Sequence, residues 1–105
     1  MQVLSPSSIE PRRIYISGPM SGLPEFNRPA FVAEEARIKA CGAVPLSPAW
    51  LPDGLTQAQY MDVCLALVRA ASEMVMLPGW ERSAGARAER AYAEKLGLPI
   101  VEKSC

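Results

Sequence analysis

The chain has no histidine among its 105 residues. That absence excludes nucleophiles activated by Ser-His-Asp or Cys-His arrangements, and it removes the most frequent zinc ligand. Acid–base chemistry must therefore come from carboxylates, tyrosine, lysine or cysteine. The three cysteines, Cys41, Cys64 and Cys105, are widely spaced and indicate neither a disulfide framework nor a metal site. We expect no metal, no cofactor and a reducing, cytoplasmic setting.

The sequence also has no excess of positive or negative charge. Eleven basic and 11 acidic residues give a formal net charge of zero, which argues against binding to nucleic acid polymers or anionic membranes. No apolar run is long enough to span a bilayer, and the first residues do not follow the pattern of a signal peptide. A hydrophobic content of 50% excludes a disordered chain. The length predicts one small domain.

What the sequence does contain is a regular alternation of short apolar runs and helical patterns. Residues 1–11, with several serines and prolines, predict a flexible arm, and residues 12–105 predict the domain. The predicted strands are 13–17, 43–47, 74–77 and 98–101. Helices are predicted between them. This order is typical of an α/β three-layer sandwich with a four-stranded or five-stranded parallel sheet of the flavodoxin or Rossmann type.

Capping residues mark the starts of the three predicted helices. Asn27 is the predicted cap of the first helix. Pro45 lies in the second predicted strand and predicts that this strand is at the edge of the sheet. Thr56 and Gln59 form a capping box before a second helix that is apolar over a wide arc and should be well buried. Ser83 caps the third, which runs from about 84 to 96.

Long loops at 18–27, 48–55 and 78–82 follow the first three strands, on the side where open parallel sheets bind ligands. Trp50 and Trp80 lie in these loops, either to stack on a base or to cover the core. Ser83 and Gly85 begin the third helix, which makes them either an anion site or an ordinary cap. Asp62 either points into the site or complements the helix dipole.

Glu89 is the strongest candidate for chemistry. It lies on one stripe of the third helix with Gly85, Tyr92 and Leu96, so a carboxylate is placed among small and apolar side chains. Two readings remain open. One is a boundary glutamate paired with an arginine or a backbone amide, and the other is a functional carboxylate.

Two segments carry a resemblance to a known family. The segments 15–19, Tyr-Ile-Ser-Gly-Pro, and 83–89, Ser-Ala-Gly-Ala-Arg-Ala-Glu, are similar to the nucleoside 2-deoxyribosyltransferase superfamily, which includes 2'-deoxynucleoside 5'-monophosphate N-glycosidases. A branch of short, often phage-encoded domains of unknown function has a Leu-Pro-Gly-Trp-Glu-x-Ser-x-Gly-Ala signature, found here at 77–86. The resemblance covers residues 12–102.

The resemblance implies a mechanism and a set of site residues. Glu89 would attack the anomeric carbon and expel the base, and water or a second base would resolve the glycosyl-enzyme. The family has a second catalytic Asp in the preceding helix, where Leu65 stands at the matching distance, and that role is assigned to Asp62. Tyr15 completes the catalytic group. Gly18 matches a pocket residue of the first loop, and Ser83 and Gly85 match binders of the 5'-phosphate. With the loop residues Pro19, Met20, Trp50 and Trp80, they make up the predicted substrate-binding set.

The expected function is an N-glycosidase or deoxyribosyltransferase-like protein that acts on a nucleoside or nucleotide and forms a homodimer or a higher homo-oligomer. Two alternatives stay open. A non-catalytic nucleotide-binding protein is favoured by Leu65, which stands where the family has Asp. A structural protein, which uses its apolar second helix as a dimer face, would lack a cavity beside Glu89.

Overall fold

The computed structural model describes residues 10–104, which fold as alternating strands and helices. The elements are β1 (Arg13–Ser17), α1 (Arg28–Ala40), β2 (Val44–Leu46), α2 (Gln57–Ala70), β3 (Glu73–Met76), α3 (Ala84–Lys95) and β4 (Ile100–Val101). Short 3₁₀ turns at Pro24–Asn27, Pro48–Trp50 and Trp80–Arg82 interrupt the three long loops. The predicted arm at 1–11 falls almost wholly outside the described residues.

The four strands form one parallel sheet in the order β2-β1-β3-β4. The predicted α/β architecture is confirmed with four strands, and residues 10–104 contain no fifth. Pro45 lies in β2 at the edge of the sheet, where its missing amide hydrogen costs no ladder hydrogen bond.

The pleat of β1 divides the interior into two cores, one on each face of the sheet. Alternate residues of β1 point to opposite faces, so that α1 covers one face while α2 and α3 cover the other. The first core includes Ile14, Ile16, Phe31 and Ile38, and the second includes Tyr15, Cys64, Val68 and Ala93. This is the three-layer arrangement that the sequence predicted.

Two of the predicted helix caps form as expected. The Thr56 hydroxyl accepts a hydrogen bond from the Gln59 amide (3.1 Å), and the Thr56 amide donates to Gln59 Oε1 (2.9 Å), which completes the capping box. Ser83 Oγ accepts from the Ala86 amide (3.1 Å) at the start of α3. These side chains satisfy amides that the first turn of a helix leaves unpaired.

Asn27 is the N-cap residue of α1, as predicted, but its side chain makes no capping hydrogen bond. Its backbone is left-handed (φ 60°). Its Nδ2 instead donates to the Pro19 carbonyl oxygen (2.9 Å). The left-handed backbone turns the side chain toward the preceding loop, so Asn27 stabilises that loop rather than the helix.

Helix α2 is less buried than its sequence predicted. Only Cys64 and Val68 are buried in it, because a single narrow stripe of the helix contacts the sheet. Tyr60 and Met61, in its first half, line a cavity instead of entering the core. The wide apolar arc therefore serves two surfaces, the core and the cavity.

The cysteines differ in state. Cys64 is a free, buried thiol. Cys41, just after α1, is disulfide-bonded, so the prediction from cysteine spacing that there is no disulfide is wrong for this residue. In the described part of the chain, no helix combines the length and the apolar character that a membrane crossing requires.

The strand order fixes where a ligand site belongs. All four strands are parallel, but β2 is added on one side of β1 and β3 on the other. At such a topological switch point, a crevice opens beyond the carboxyl ends of the strands. Gly18 follows β1 and Leu77 follows β3, and a Cβ built on Gly18 would lie 2.7 Å from Leu77 Cβ. The two strand ends are therefore held in close contact at the base of the crevice, and a glycine is needed there.

Candidate active site

A cavity of about 590 Å³ opens at this switch point. Its volume lies in the range typical of small-molecule sites. The loops after β1, β2 and β3, the first half of α2 and the start of α3 all contribute to its wall. Lining residues include Gly18, Pro19, Met20, Leu23, Phe26, Arg28, Leu51, Asp53, Tyr60, Met61, Cys64, Arg82, Ser83, Gly85 and Glu89.

Glu89 is held at the cavity by two hydroxyl groups from β1. Tyr15 Oη donates to Glu89 Oε2 (2.9 Å), and Ser17 Oγ donates to Glu89 Oε1 (2.7 Å). Tyr15 and Ser17 are two residues apart, so the pleat directs both side chains to the same face of the sheet. Both are fully buried, and Glu89 is 6% exposed. One strand therefore orients both oxygens of one carboxylate.

The charge of Glu89 is stabilised by neutral groups. Among the described residues, none forms an ion pair with it. Burial raises the pKa of Glu89, while hydrogen bonds from Ser17, Tyr15 and Cys64 oppose that rise. Burial, followed by the nearby Glu89 charge, holds the pKa of Tyr15 well above its ordinary value. The phenol consequently remains a hydrogen-bond donor at neutral pH.

Cys64 is the third group beside this carboxylate. It lines the cavity from α2 and is 5% exposed. Burial raises its pKa to about 11, and interaction with Glu89 adds to that rise. The thiol is therefore protonated at neutral pH.

Asp62 is exposed and does not line the cavity, so the structure does not bring it to Glu89.

The predicted substrate-binding residues of two loops come together in the cavity wall. Gly18, Pro19 and Met20 enter from the loop after β1, and Ser83 and Gly85 enter from the start of α3. At Gly85, the atoms nearest to an added Cβ would be Met61 Sδ and Ser83 Oγ, both at 3.9 Å. A side chain would fit there without a clash, so packing alone does not require this glycine.

The two tryptophans lie off the cavity wall. Trp50 is 73% exposed, and its Nε1 donates to Glu35 Oε1 (2.6 Å) on α1. Trp80 is half-buried beneath the guanidinium of Arg90, whose central carbon is 4.6 Å from the ring centroid. Neither indole is among the residues that line the cavity. Trp50 does not cover the core either.

Helical spacing placed Glu89 on an inward stripe of α3, whereas other residues of this region were not predicted. The buried stripe of α3 contains Ala86, Glu89 and Ala93, whereas Leu96, predicted on that stripe, is 48% exposed. Ser17 was overlooked, although its spacing of two from Tyr15 places both on one face of β1. Arg28 and Phe26 also reach the wall, and no pattern in the sequence marked them.

The described residues offer no ready metal site. Between residues 10 and 104, no three His, Cys, Asp or Glu side chains are grouped so that they could hold a metal ion.

Comparison with known proteins adds a fold and a family. The structure resembles "2-desoxiribosyltransferase from Leishmania mexicana" with a TM-score of 0.70 and 23% sequence identity, over 87% of this chain and 63% of that one. The chain thus spans about 63% of the length of that protein, and the likeness shows a shared fold. No curated protein matches the sequence. A family model matches residues 12–102, and the chain belongs to the family described as "Domain of unknown function (DUF4406)".

Proposed function

We propose that this protein cleaves the N-glycosidic bond of a nucleoside or nucleotide, with Glu89 as the nucleophile. The observation that carries the proposal is a buried carboxylate at the wall of a cavity, oriented by two hydroxyl donors and paired with no cation among the described residues. The fold shared with a 2-desoxiribosyltransferase supports a sugar–base substrate.

The proposed reaction has two steps. A Glu89 oxygen forms a bond to C1' of the sugar while the C1'–N bond breaks, and the bonding electron pair leaves with the base, which takes a proton from solvent. Water then attacks C1', loses a proton and releases the sugar, which regenerates the carboxylate. Both steps pass through oxocarbenium-like transition states that an adjacent negative charge stabilises.

The arrangement around Glu89 suits this role. An arginine partner would neutralise the carboxylate, whereas Tyr15 and Ser17 orient it and leave its charge in place. Burial makes the carboxylate more basic than in water, which favours attack on carbon. The residues therefore supply a positioned nucleophile that ionises above the ordinary pKa of a glutamate.

A substrate phosphate fits best at the start of α3. Ser83 and Gly85 lie there, where helix amides favour negative charge. Arg82 lines the same wall and forms no ion pair within residues 10–104. We assign the 5'-phosphate of a nucleotide to these groups.

The proposal also includes assembly into a homodimer or a higher homo-oligomer and a cytoplasmic setting.

One observation favours a second candidate, a nucleotide-binding protein without activity. Asp62 is exposed and away from the cavity, and the other carboxylate on the wall, Asp53, is paired with Arg28 (2.7 Å). Protonation of the departing base therefore has no dedicated carboxylic acid among these wall residues. The cavity beside Glu89 itself is what the purely structural alternative would lack.

Release of free base distinguishes these functions. The protein is incubated with 2'-deoxynucleosides and their 5'-monophosphates, and free base is quantified by chromatography. We expect release by the wild type and by Glu94→Gln, whose exposed carboxylate pairs with Arg90 on the same helix, and none by Glu89→Gln. Nucleotide binding in calorimetry without release would favour the non-catalytic alternative, and undiminished release by Glu89→Gln would contradict the nucleophile assignment.

A further inference from the structure

We propose that Phe26 is the platform on which the substrate's base stacks, so that the turn from Leu23 to Asn27 determines specificity for an aromatic base. This inference rests on the proposed function, because it assigns the base end of the same cavity. It concerns the residue that recognises the ligand and is independent of whether Glu89 completes the chemistry.

The turn has an unusual backbone. Glu25, Phe26 and Asn27 have φ values of 52°, 53° and 60°, so three consecutive residues with side chains adopt the left-handed conformation. Asparagine tolerates that conformation, but it is unfavourable for Glu25 and Phe26, and such strain is concentrated at ligand-binding segments. The Asn27 side chain bonded to the Pro19 carbonyl oxygen (2.9 Å) holds the turn against the preceding loop.

The strained turn presents apolar side chains to the cavity instead of burying them. Leu23 is 41% exposed and Phe26 is 45% exposed, and both line the cavity. Leu51 and Met61 add further apolar surface to the same wall. An exposed aromatic ring inside a cavity gains most from a flat apolar ligand that removes it from water.

The phenyl ring is also held in position. The central carbon of the Arg28 guanidinium lies over the ring, 5.2 Å from its centroid. The same guanidinium donates to Asp53 Oδ1 (2.7 Å), which lies in the loop before α2 and lines the cavity. Arg28 thereby links the ring to a second loop of the cavity wall, and a platform fixed before binding loses little entropy when a base stacks on it.

The ligand chemistry follows from this placement. Glu89 and Gly85 lie on α3, and Ser83 is its N-cap. These residues serve the sugar and phosphate under the proposed function, whereas Phe26 lies in the loop before α1. A heteroaromatic base stacks on a phenyl ring through its π face, and a sugar phosphate has no such face. Phe26 should therefore discriminate between ligands with and without a base.

Calorimetry with two ligands tests this assignment. The ligands are a 2'-deoxynucleoside 5'-monophosphate and 2-deoxyribose 5-phosphate, each titrated into protein that carries Glu89→Gln to prevent turnover. We expect Phe26→Ala to weaken nucleotide binding by about 5-fold to 150-fold and to leave sugar-phosphate binding unchanged. Phe26→Tyr, which keeps a ring, should stay within about threefold of the parent.

Controls separate stacking from folding. Leu96→Ala removes an equally exposed apolar side chain outside the cavity and should change neither affinity. Equal weakening of both ligands by Phe26→Ala, or no weakening of the nucleotide, overturns the proposal, as does a parent protein that binds the sugar phosphate and not the nucleotide. Phe26-dependent nucleotide binding without base release by the wild type would contradict the catalytic proposal alone.

Discussion

Two glutamates on opposite faces of the sheet are equally buried but differ in their charged partners and in the surface that they face. Glu34 on α1 and Glu89 on α3 are each 6% exposed. Glu34 accepts a hydrogen bond from Ser104 and forms an ion pair with Arg37 (3.4 Å), and it does not line the cavity. Glu89 has two neutral donors and faces the cavity. Burial alone therefore does not distinguish the carboxylate that we propose as the nucleophile.

The contrast has an energetic side. A buried carboxylate is costly unless a cation or several hydrogen bonds compensate it. Glu34 receives a cation, so its burial is consistent with a role in holding the last described residues against α1. Glu89 keeps an uncompensated part of that cost, which its raised pKa reports. Such a cost is typical of groups retained for chemistry.

The largest expected effect separates the two residues by activity. Glu89→Gln should lower base release by about a thousandfold or more, since an amide cannot form the glycosyl ester. Glu34→Gln should retain the wild-type rate within about twofold, because its surroundings do not reach the cavity. Initial rates of base release measure both. Comparable losses in the two variants would remove the distinction between these carboxylates.

The next effect concerns the donors to Glu89. Tyr15→Phe and Ser17→Ala should each lower kcat/KM by about tenfold to a hundredfold, because each removes a charge-assisted hydrogen bond. Both bonds lower the pKa of Glu89, so their loss raises it further. Since attack requires the carboxylate, the acidic limb of the pH–rate profile should move to higher pH.

Tyr92→Phe is the control for these donors, because Tyr92 lies at the edge of the same core and off the cavity wall. Its profile should coincide with that of the wild type. A Tyr15→Phe profile that shows a lower rate but an unmoved acidic limb would mean that the phenol acts by packing and not through Glu89.

The free energy of unfolding should change in opposite directions in Glu89→Gln and Glu34→Gln at neutral pH. The pKa of Glu89 is raised in the folded protein, so its contribution is most favourable below the ordinary value of 4.5 and declines as pH rises through the raised pKa. Glu89→Gln should therefore gain stability relative to the wild type as pH rises over that window. Glu34→Gln should lose up to about 1 kcal/mol at neutral pH, because its partner Arg37 is 57% exposed.

Urea unfolding at a series of pH values measures these differences. A Glu89→Gln variant that becomes less stable than the wild type as pH rises would show that its carboxylate is compensated, as Glu34 is.

The smallest effect concerns the thiol beside Glu89. With a pKa of about 11, about one Cys64 in a thousand is a thiolate at pH 8, and the side chain is 5% exposed. Alkylation of native Cys64 should therefore be slow, should accelerate with pH up to about 11, and should slow further when nucleotide is bound. Peptide mass spectrometry after timed alkylation measures this, with urea-unfolded protein as the reference. Rapid alkylation of the native thiol at pH 8 would contradict the assigned environment.

The sequence predicted most of the fold because its signals are local. Thr56 and Ser83 cap helices through bonds to residues three positions away, and the β-branched run of β1 ends at a glycine. Glu89 was recognisable from helical spacing. Its partner Ser17 is distant in the sequence, and the contact depends on the packing of β1 against α3, which no local pattern indicates. The spacing of two from Tyr15 predicts only that the two side chains share a face of β1.

Other features left no local signal. The left-handed turn at Glu25, Phe26 and Asn27 contains no glycine, so its strain is imposed by tertiary contacts and not by the residues themselves. Trp50 is placed by a bond to Glu35 across two elements. The exposure of Asp62 depends on which stripe of α2 meets the sheet, and a wide apolar arc does not determine that.

A covalent glycosyl-enzyme on Glu89 is the species that distinguishes nucleophilic catalysis from every alternative. The protein is mixed with a 2'-deoxynucleoside 5'-monophosphate, quenched in acid during turnover, digested and examined by mass spectrometry for one added deoxyribosyl phosphate group. We expect this adduct on the peptide containing Glu89, and none in Glu89→Gln. Base release accompanied by an adduct on another residue, or continued release by Glu89→Gln, would contradict it.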